Sequence, residues 1–334
     1  LDEMRMPAGL HWSKITQIGT VYDSTPEGVI EAAFRTFERH PDLPLLLIYM
    51  RGRSGGPDSE GRRRLTDPTG AHAAIVLARR ERVEWLRPWA PYTRPAGNPL
   101  YPGFYAWDAT PPKPFKPTPF FPTPWTRAHF KQWDAMPTLA TLHRPVVARL
   151  TDGEGHELKR KEREAALLSG WKGVTGASAP ARVFFDAGKP GAGLAALAPI
   201  LREAGSDLEL TDPQEGIDVA ARLGDTGAAA PFVSLALATM ATAESGEPSI
   251  VVPLRKPEEA TFFLITPTQQ QHKDGFEPKI LPNQSTQPDA PAPAPPTAQR
   301  EPTLYIDRFA MEGHEVDPIK ALGGTSSFSG DDKS

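Results

Sequence analysis

Seven prolines fall within fifteen residues, in the run Pro111-Pro-Lys-Pro-Phe-Lys-Pro-Thr-Pro-Phe-Phe-Pro-Thr-Pro-Trp125. Proline has no backbone N–H and a fixed φ, so this stretch forms neither a helix interior nor an inner strand. It must run extended or polyproline-like. Disordered linkers are poor in aromatic residues. This one carries Phe115, Phe120, Phe121 and Trp125, whose rings gain from burial. The reading is an ordered meander over residues 85–133, wrapped on a domain surface with its rings held in grooves.

The remaining prolines point elsewhere. Of the 38 in this 334-residue chain, many fall in Pro288-Asp-Ala-Pro-Ala-Pro-Ala-Pro-Pro296 and its surroundings, where the company is Ala, Gln and Asp. Such a segment cannot bury enough apolar surface to fold alone. Residues 269–334 therefore read as a low-complexity, disordered tail, interrupted by one patterned piece, Leu304-Tyr-Ile-Asp-Arg-Phe309.

Absent residue types narrow the chemistry. The chain has no cysteine, which removes disulfides, thiolate nucleophiles, thiolate-bound zinc and iron–sulfur clusters. Its net charge of −4 argues against a protein built to hold nucleic acid. No apolar run is long enough for a membrane-spanning helix. The sequence starts at Leu1, which leaves an upstream signal or anchor open.

Periodicity gives two α/β regions. In the first, Ile15–Tyr22 reads as a strand. Ser24-Thr-Pro-Glu27 has the form of a capping box. Val29, Ile30, Ala33, Phe34 and Phe37 then share one helical face. Leu43–Met50 is a continuous apolar run, expected to be a strand buried on both faces. Ala73–Ala78 and Pro145–Leu150 read as further strands. Thr126–Ala135 reads as a short helix and Glu157–Leu168 as a charged one. The glycine-rich stretch Gly170–Ala179 reads as a linker.

The second region repeats the pattern. Arg182–Asp186 is a strand, Ala192–Ala204 a helix, Leu208–Leu210 a strand and Gly216–Leu223 a helix. Pro231–Ala243 alternates like a strand, although its alanines leave helix open. Ser249–Pro253 and Ala260–Thr266 form a hairpin. The fold class is therefore α/β: two tandem domains containing β-α-β units, at 1–169 and 180–268, with the meander in the first and the tail at 269–334.

Three motifs suggest chemistry, and each is incomplete. Gly52-Arg-Ser-Gly-Gly56 matches the nucleophile elbow of α/β-hydrolases. The residues after Ser54 offer no apolar helical face, so a flexible arginine loop is the simpler reading. Gly191-Ala-Gly-Leu-Ala-Ala196 matches a loose dinucleotide fingerprint, but Lys189-Pro190 lengthens a turn that must be tight. Asp152-Gly-Glu-Gly-His156 sets three ligand types at alternate positions with no second cluster, as an ordinary turn would. These keep a hydrolase or nucleotide-binding enzyme as the alternative reading. No catalytic, cofactor-binding or metal-binding residue is assigned.

Several segments resemble the type VI secretion lipase adapter family. They are Asn98-Pro-Leu-Tyr-Pro-Gly-Phe-Tyr-Ala-Trp107, Phe120-Phe-Pro-Thr-Pro-Trp125, Gln132-Trp-Asp-Ala-Met-Pro137 and Glu247-Pro-Ser-Ile-Val-Val-Pro-Leu254. The resemblance extends to about Thr268. It implies a non-enzymatic cytoplasmic adapter that binds a phospholipase effector and hands it to the spike protein of the secretion machine. Its partners would be proteins, with no nucleic acid and no small-molecule cofactor. Family members can carry a hydrophobic N-terminal segment, absent from this sequence, so inner-membrane association of a longer protein stays open.

Rigid aromatic and proline surfaces bind with little loss of entropy. Tyr101, Phe104, Tyr105, Trp107, Phe120, Phe121 and Trp125 are therefore the candidate partner-binding residues. Arg62, Arg63 and Arg64 of the arginine loop join them. The competing reading is that the rings simply roof the first domain.

Overall fold

The computed structural model describes residues 25–52, 71–97, 105–108, 110–111, 113–176 and 178–268, with backbone only at 51–52. Ser54, the arginine loop with Arg62–Arg64, Tyr101, Phe104, the expected strand Ile15–Tyr22 and the tail 269–334 lie outside the described residues. The elements in chain order are α1 (Gly28–Arg39), β1 (Leu45–Gly52), β2 (Ala71–Ala78), α2 (Glu81–Glu84), a 3-10 turn (Arg87–Tyr92), β3 (Arg94–Pro95) and β4 (Tyr105–Ala106). Then come α3 (Arg127–Ala135), β5 (Thr141–Leu142), β6 (Val146–Arg149), α4 (Arg160–Thr175), β7 (Arg182–Asp186), α5 (Ala192–Ala204) and β8 (Gly216–Asp218). The chain continues with α6 (Val219–Leu223), α7 (Ala230–Ser245), β9 (Ser249–Pro253) and β10 (Glu259–Thr266). The described residues fall into two compact units, one at 80–136 and one formed by 25–79 with 137–268.

The larger unit is built on a six-stranded mixed sheet. Its order is β5-β10-β9-β7-β8, with β6 also paired to β10. β7 is parallel to β8 and β9, and β10 runs antiparallel to β9, β5 and β6. Strand side chains alternate between faces, and here the alternation divides the core in two. Val183, Phe185, Ile250, Val252, Phe262 and Leu264 pack under α4 and α5. Phe184, Val251, Phe263 and Ile265 pack under α7, α1 and the β1–β2 hairpin. The chain steps from β7 to β8 in one direction and from β8 to β9 in the other. Right-handed crossovers then require the connecting helices α5 and α7 on opposite faces, as observed.

Several expectations are corrected. The stretch 170–175 is helical, not a linker. A Cβ on Gly170 would stand 2.4 Å from the Phe262 ring, so this glycine serves close helix–sheet packing. β5 and β6, expected with the first domain, pair with β10. The break at 169–180 is therefore bridged by the sheet itself. Leu208–Leu210 is no strand; the parallel partner of β7 is β8, followed by α6, where one helix was expected. The alternating Pro231–Ala243 is helical, with the proline in the first turn where its missing N–H costs nothing. The N-cap of α1, Glu27, makes no side-chain cap bond; Thr25 Oγ1 accepts the Gly28 N–H at 3.2 Å, and the expected cap residue Ser24 lies outside the described residues.

The smaller unit is held by rings. Trp85 stacks on Phe115 at 5.8 Å and meets Trp89 and Phe121 edge-on. Trp125 sits edge-on to Phe121, Phe130 and Trp133, the last at 5.2 Å. Such pairs add about 0.5–1.5 kcal/mol each beyond the area they bury. Helix α3 starts at a capping box in which Thr126 Oγ1 accepts the His129 N–H and His129 Nδ1 accepts the Thr126 N–H. Its far end is closed by Arg80, which donates to the carbonyls of Trp133 and Met136. A cation there also suits the negative end of the helix dipole.

Candidate protein-docking surfaces

Open α/β sheets place ligands beyond the carboxyl ends of their parallel strands, where the strand order reverses. Here that place lies past β7, β8 and β9, and it gathers Asp186, Asp218, Asp225 and Arg255. Asp186 ends β7 with its side chain 1% exposed. Arg255 grips both its oxygens, Nε to Oδ1 and Nη2 to Oδ2, each at 3.0 Å. The Gly188 N–H also donates to Oδ1, at 2.7 Å. Arg255 Nη1 turns to Asp225 at 2.5 Å. That guanidinium, with the Gly227 N–H, holds the Asp225 carboxyl below its ordinary range against the opposing pull of burial. Asp186 and Asp225 thus share the Arg255 guanidinium in one ion-pair network.

The loop Gly191–Ala196 stands beside it. Asp218 accepts the Gly191 N–H through Oδ2 at 2.9 Å and caps α6 through Oδ1 on the Ala221 N–H. A phosphate arriving at this helix start would meet a carboxylate already bonded there. Gly193 is explained by packing, since a Cβ would lie 2.4 Å from the Phe185 ring. The turn Asp152–His156 is similarly self-contained. Asp152 Oδ1 accepts the N–H groups of Glu154 and His156, both at 2.9 Å. Among the described residues, no group of three His, Asp or Glu side chains could hold a metal ion.

The hairpin offers a different kind of surface. β1 and β2 pair antiparallel in the register Leu45↔Ala78, Leu47↔Val76 and Tyr49↔Ala74. One face, with Ile48 and Ala73 at its centre, packs into the core beneath α7. The opposite face carries Leu45, Leu47, Tyr49, Ala74, Val76 and Ala78. A solvated sheet face normally carries polar side chains. Tyr49 is nevertheless 41% exposed and Val76 37%. This corrects the expectation that the Leu43–Met50 run is buried on both faces. A two-stranded hairpin with its core on one side leaves the other side open. Tyr49 is steadied by stacking on His72 and by a hydrogen bond between its hydroxyl and the His72 Nδ1.

A second apolar surface lies at the β8 edge of the sheet. A groove of about 710 Å³ is floored by Phe184 and Ile217 and walled by Val219, Leu223, Leu237 and Met240. Leu223 is 49% exposed and Met240 62%. Arg182, Arg222 and Glu244 stand on its rim.

The sequence-derived candidates divide. Phe121 and Trp125 are 1% and 8% exposed; they are the core of the smaller unit and present no surface to a partner. Tyr105, Trp107 and Phe120 are half-buried, so part of each ring remains accessible. Arg127 lies over the Tyr105 ring at 5.6 Å. Sequence reasoning missed the hairpin face and the β8 groove.

Residues 139–267 match the family model described as Type VI lipase adapter protein Tla3, C-terminal. The matched segment starts just before β5 and ends just after β10, so it contains the whole six-stranded sheet with α4 to α7. It is the same family that the sequence resembles. Among the described residues no helix is long and apolar enough to cross a membrane.

Proposed function

We propose that this protein is a non-enzymatic adapter that binds a type VI secretion lipase effector in the bacterial cytoplasm and loads it onto the spike protein. The match of residues 139–267 to the lipase adapter model carries the reading.

The effector contact is assigned to the outer face of the hairpin, centred on Tyr49 and Val76. Tyrosine is enriched at interface centres and among the residues that dominate binding energy. Tyr105, Trp107 and Phe120 of the smaller unit form a second candidate contact. That contact suits the second partner, the spike protein.

Co-purification tests this reading. The full chain, co-expressed with a type VI lipase effector, should retain the lipase through affinity and size-exclusion steps. Tyr49→Asp with Val76→Asp should lower the retained lipase at least tenfold with an unchanged circular dichroism spectrum. Trp107→Ala should leave lipase retention intact and weaken capture of the spike protein. Retention of lipase by the double variant at the wild-type level would remove the hairpin face from the proposal.

A further inference from the structure

Helix α7 carries no charged side chain from Ala230 to Ala243. A helix apolar all round belongs in a core. One side of α7 lies there, with Phe232, Leu235 and Ala238 buried against the sheet. On another side, Val233, Leu237, Met240 and Ala241 follow the i, i+4, i+7, i+8 spacing of a second apolar stripe. Met240 of that stripe is 62% exposed. Leu237, Met240 and Ala241 form one wall of the β8 groove, and Val219 and Leu223 of α6 stand on the other. An open apolar surface of this kind marks an interaction site.

We propose that this groove is the seat of a two-fold homodimer, in which Met240 of each copy enters the groove of the other. The charges on the rim point to a second copy as the occupant. A two-fold interface joins one patch to itself, so residue i meets residue j and j meets i. Such a patch must carry both signs of charge in matching positions. Arg222 belongs to the α6 wall and Glu244 to the far end of the α7 wall. Arg222 donates to the Pro213 carbonyl at 2.5 Å and, among the described residues, forms no ion pair with Glu244. Arg182, also on the rim, is already matched by Glu247 at 3.3 Å.

In the two-fold arrangement the α6 wall of one copy faces the α7 wall of the other. Arg222 then meets Glu244 twice, once on each side of the axis. A partner of a single charge sign would leave one of these two groups opposed. Methionine suits the inserted position, because its unbranched, polarisable side chain fits irregular apolar gaps. The groove, about 710 Å³, has room for it. β8 is three residues long, so side chains make the contact, not strand edges pairing across the axis. One groove and one helix face form a small interface, which sets the expected Kd at about 10 μM.

Sedimentation equilibrium of the purified full chain, with no lipase present, tests this separately from the adapter reading. The mean mass should rise from 36.4 kDa toward twice that value between about 1 and 100 μM. Met240→Asp should hold the chain at the monomer mass throughout that range. Leu139→Asp, at an exposed side chain elsewhere on this unit, should leave the rise unchanged. Arg222→Glu and Glu244→Arg should each raise the dimer Kd at least about tenfold through like-charge contact, and the two together should restore it to within about threefold of wild type. A chain that keeps the monomer mass at the highest concentration, a dimer indifferent to Met240→Asp, or charge reversals that do not rescue each other would each overturn the proposal.

Discussion

Glu27 is the residue whose placement costs most. It precedes α1 with 3% of its surface exposed. Burial pushes its carboxyl above the ordinary value, with Glu259 adding to the effect and Lys256 and Arg255 opposing it. In the unfolded chain the group ionises near its ordinary value, whereas in the folded chain it resists. Folding is therefore unpenalised in acid and loses stability as pH rises through the raised value. Glu27→Gln should raise the urea midpoint at pH 8 and leave it unchanged at pH 4. An equal gain at both pH values would refute the account of its burial.

Arg255 carries the opposite logic at the same scale. Removing it strands the Asp186 carboxylate in the core. Breaking a buried pair in this way costs about 3–5 kcal/mol. Arg255→Met should lower unfolding stability by that order in urea titration, while Arg202→Met, near the end of α5, should change it by less than about 0.5 kcal/mol.

At the scale of elements, what was legible follows from locality. β7 and α5 read directly from the sequence. Arg182–Asp186 is a compact apolar run, and Ala192–Ala204 keeps Leu197, Ile200 and Leu201 on one face before the Gly205 stop. The hairpin of β9 and β10 also read correctly, since a short charged turn joins two β-rich runs. β5 and β6 were placed in the wrong company. Their partner on β10 lies more than a hundred residues away, and nothing local marks antiparallel pairing at that separation. β8 was missed because three residues starting at a glycine carry no periodicity.

The hairpin face was hidden for another reason. Leu45 to Met50 is apolar at every position, so alternation could not tell an inner from an outer side. Only the register with β2 assigns Tyr49 and Val76 to the open face. Element-level energetics are checkable in the smaller unit. Loss of the Thr126 cap in Thr126→Ala should cost about 1 kcal/mol and speed amide exchange at residues 127–130. Unchanged exchange there would show that Arg80 at the other end holds α3 alone.

At the scale of the whole molecule, the proline excess separates into two roles. Prolines 88–124 accompany the rings that build the smaller unit's aromatic cluster. Those from 278 to 302 stand in a stretch otherwise rich in Ala, Gln and Asp. The sheet that matches the lipase adapter model supplies a rigid platform. The surfaces set on it, the hairpin face and the β8 groove, are lined largely by apolar side chains among the described residues.

The measurement that bears most directly on this account is a calorimetric titration of the purified full chain with a type VI lipase effector. The account predicts a stoichiometric complex with a Kd of about 1 μM or tighter, a negative heat-capacity change from apolar burial, and at least tenfold weaker binding for Tyr49→Asp with Val76→Asp. No heat of binding, and no complex by size exclusion at protein concentrations of about 50 μM, would contradict it.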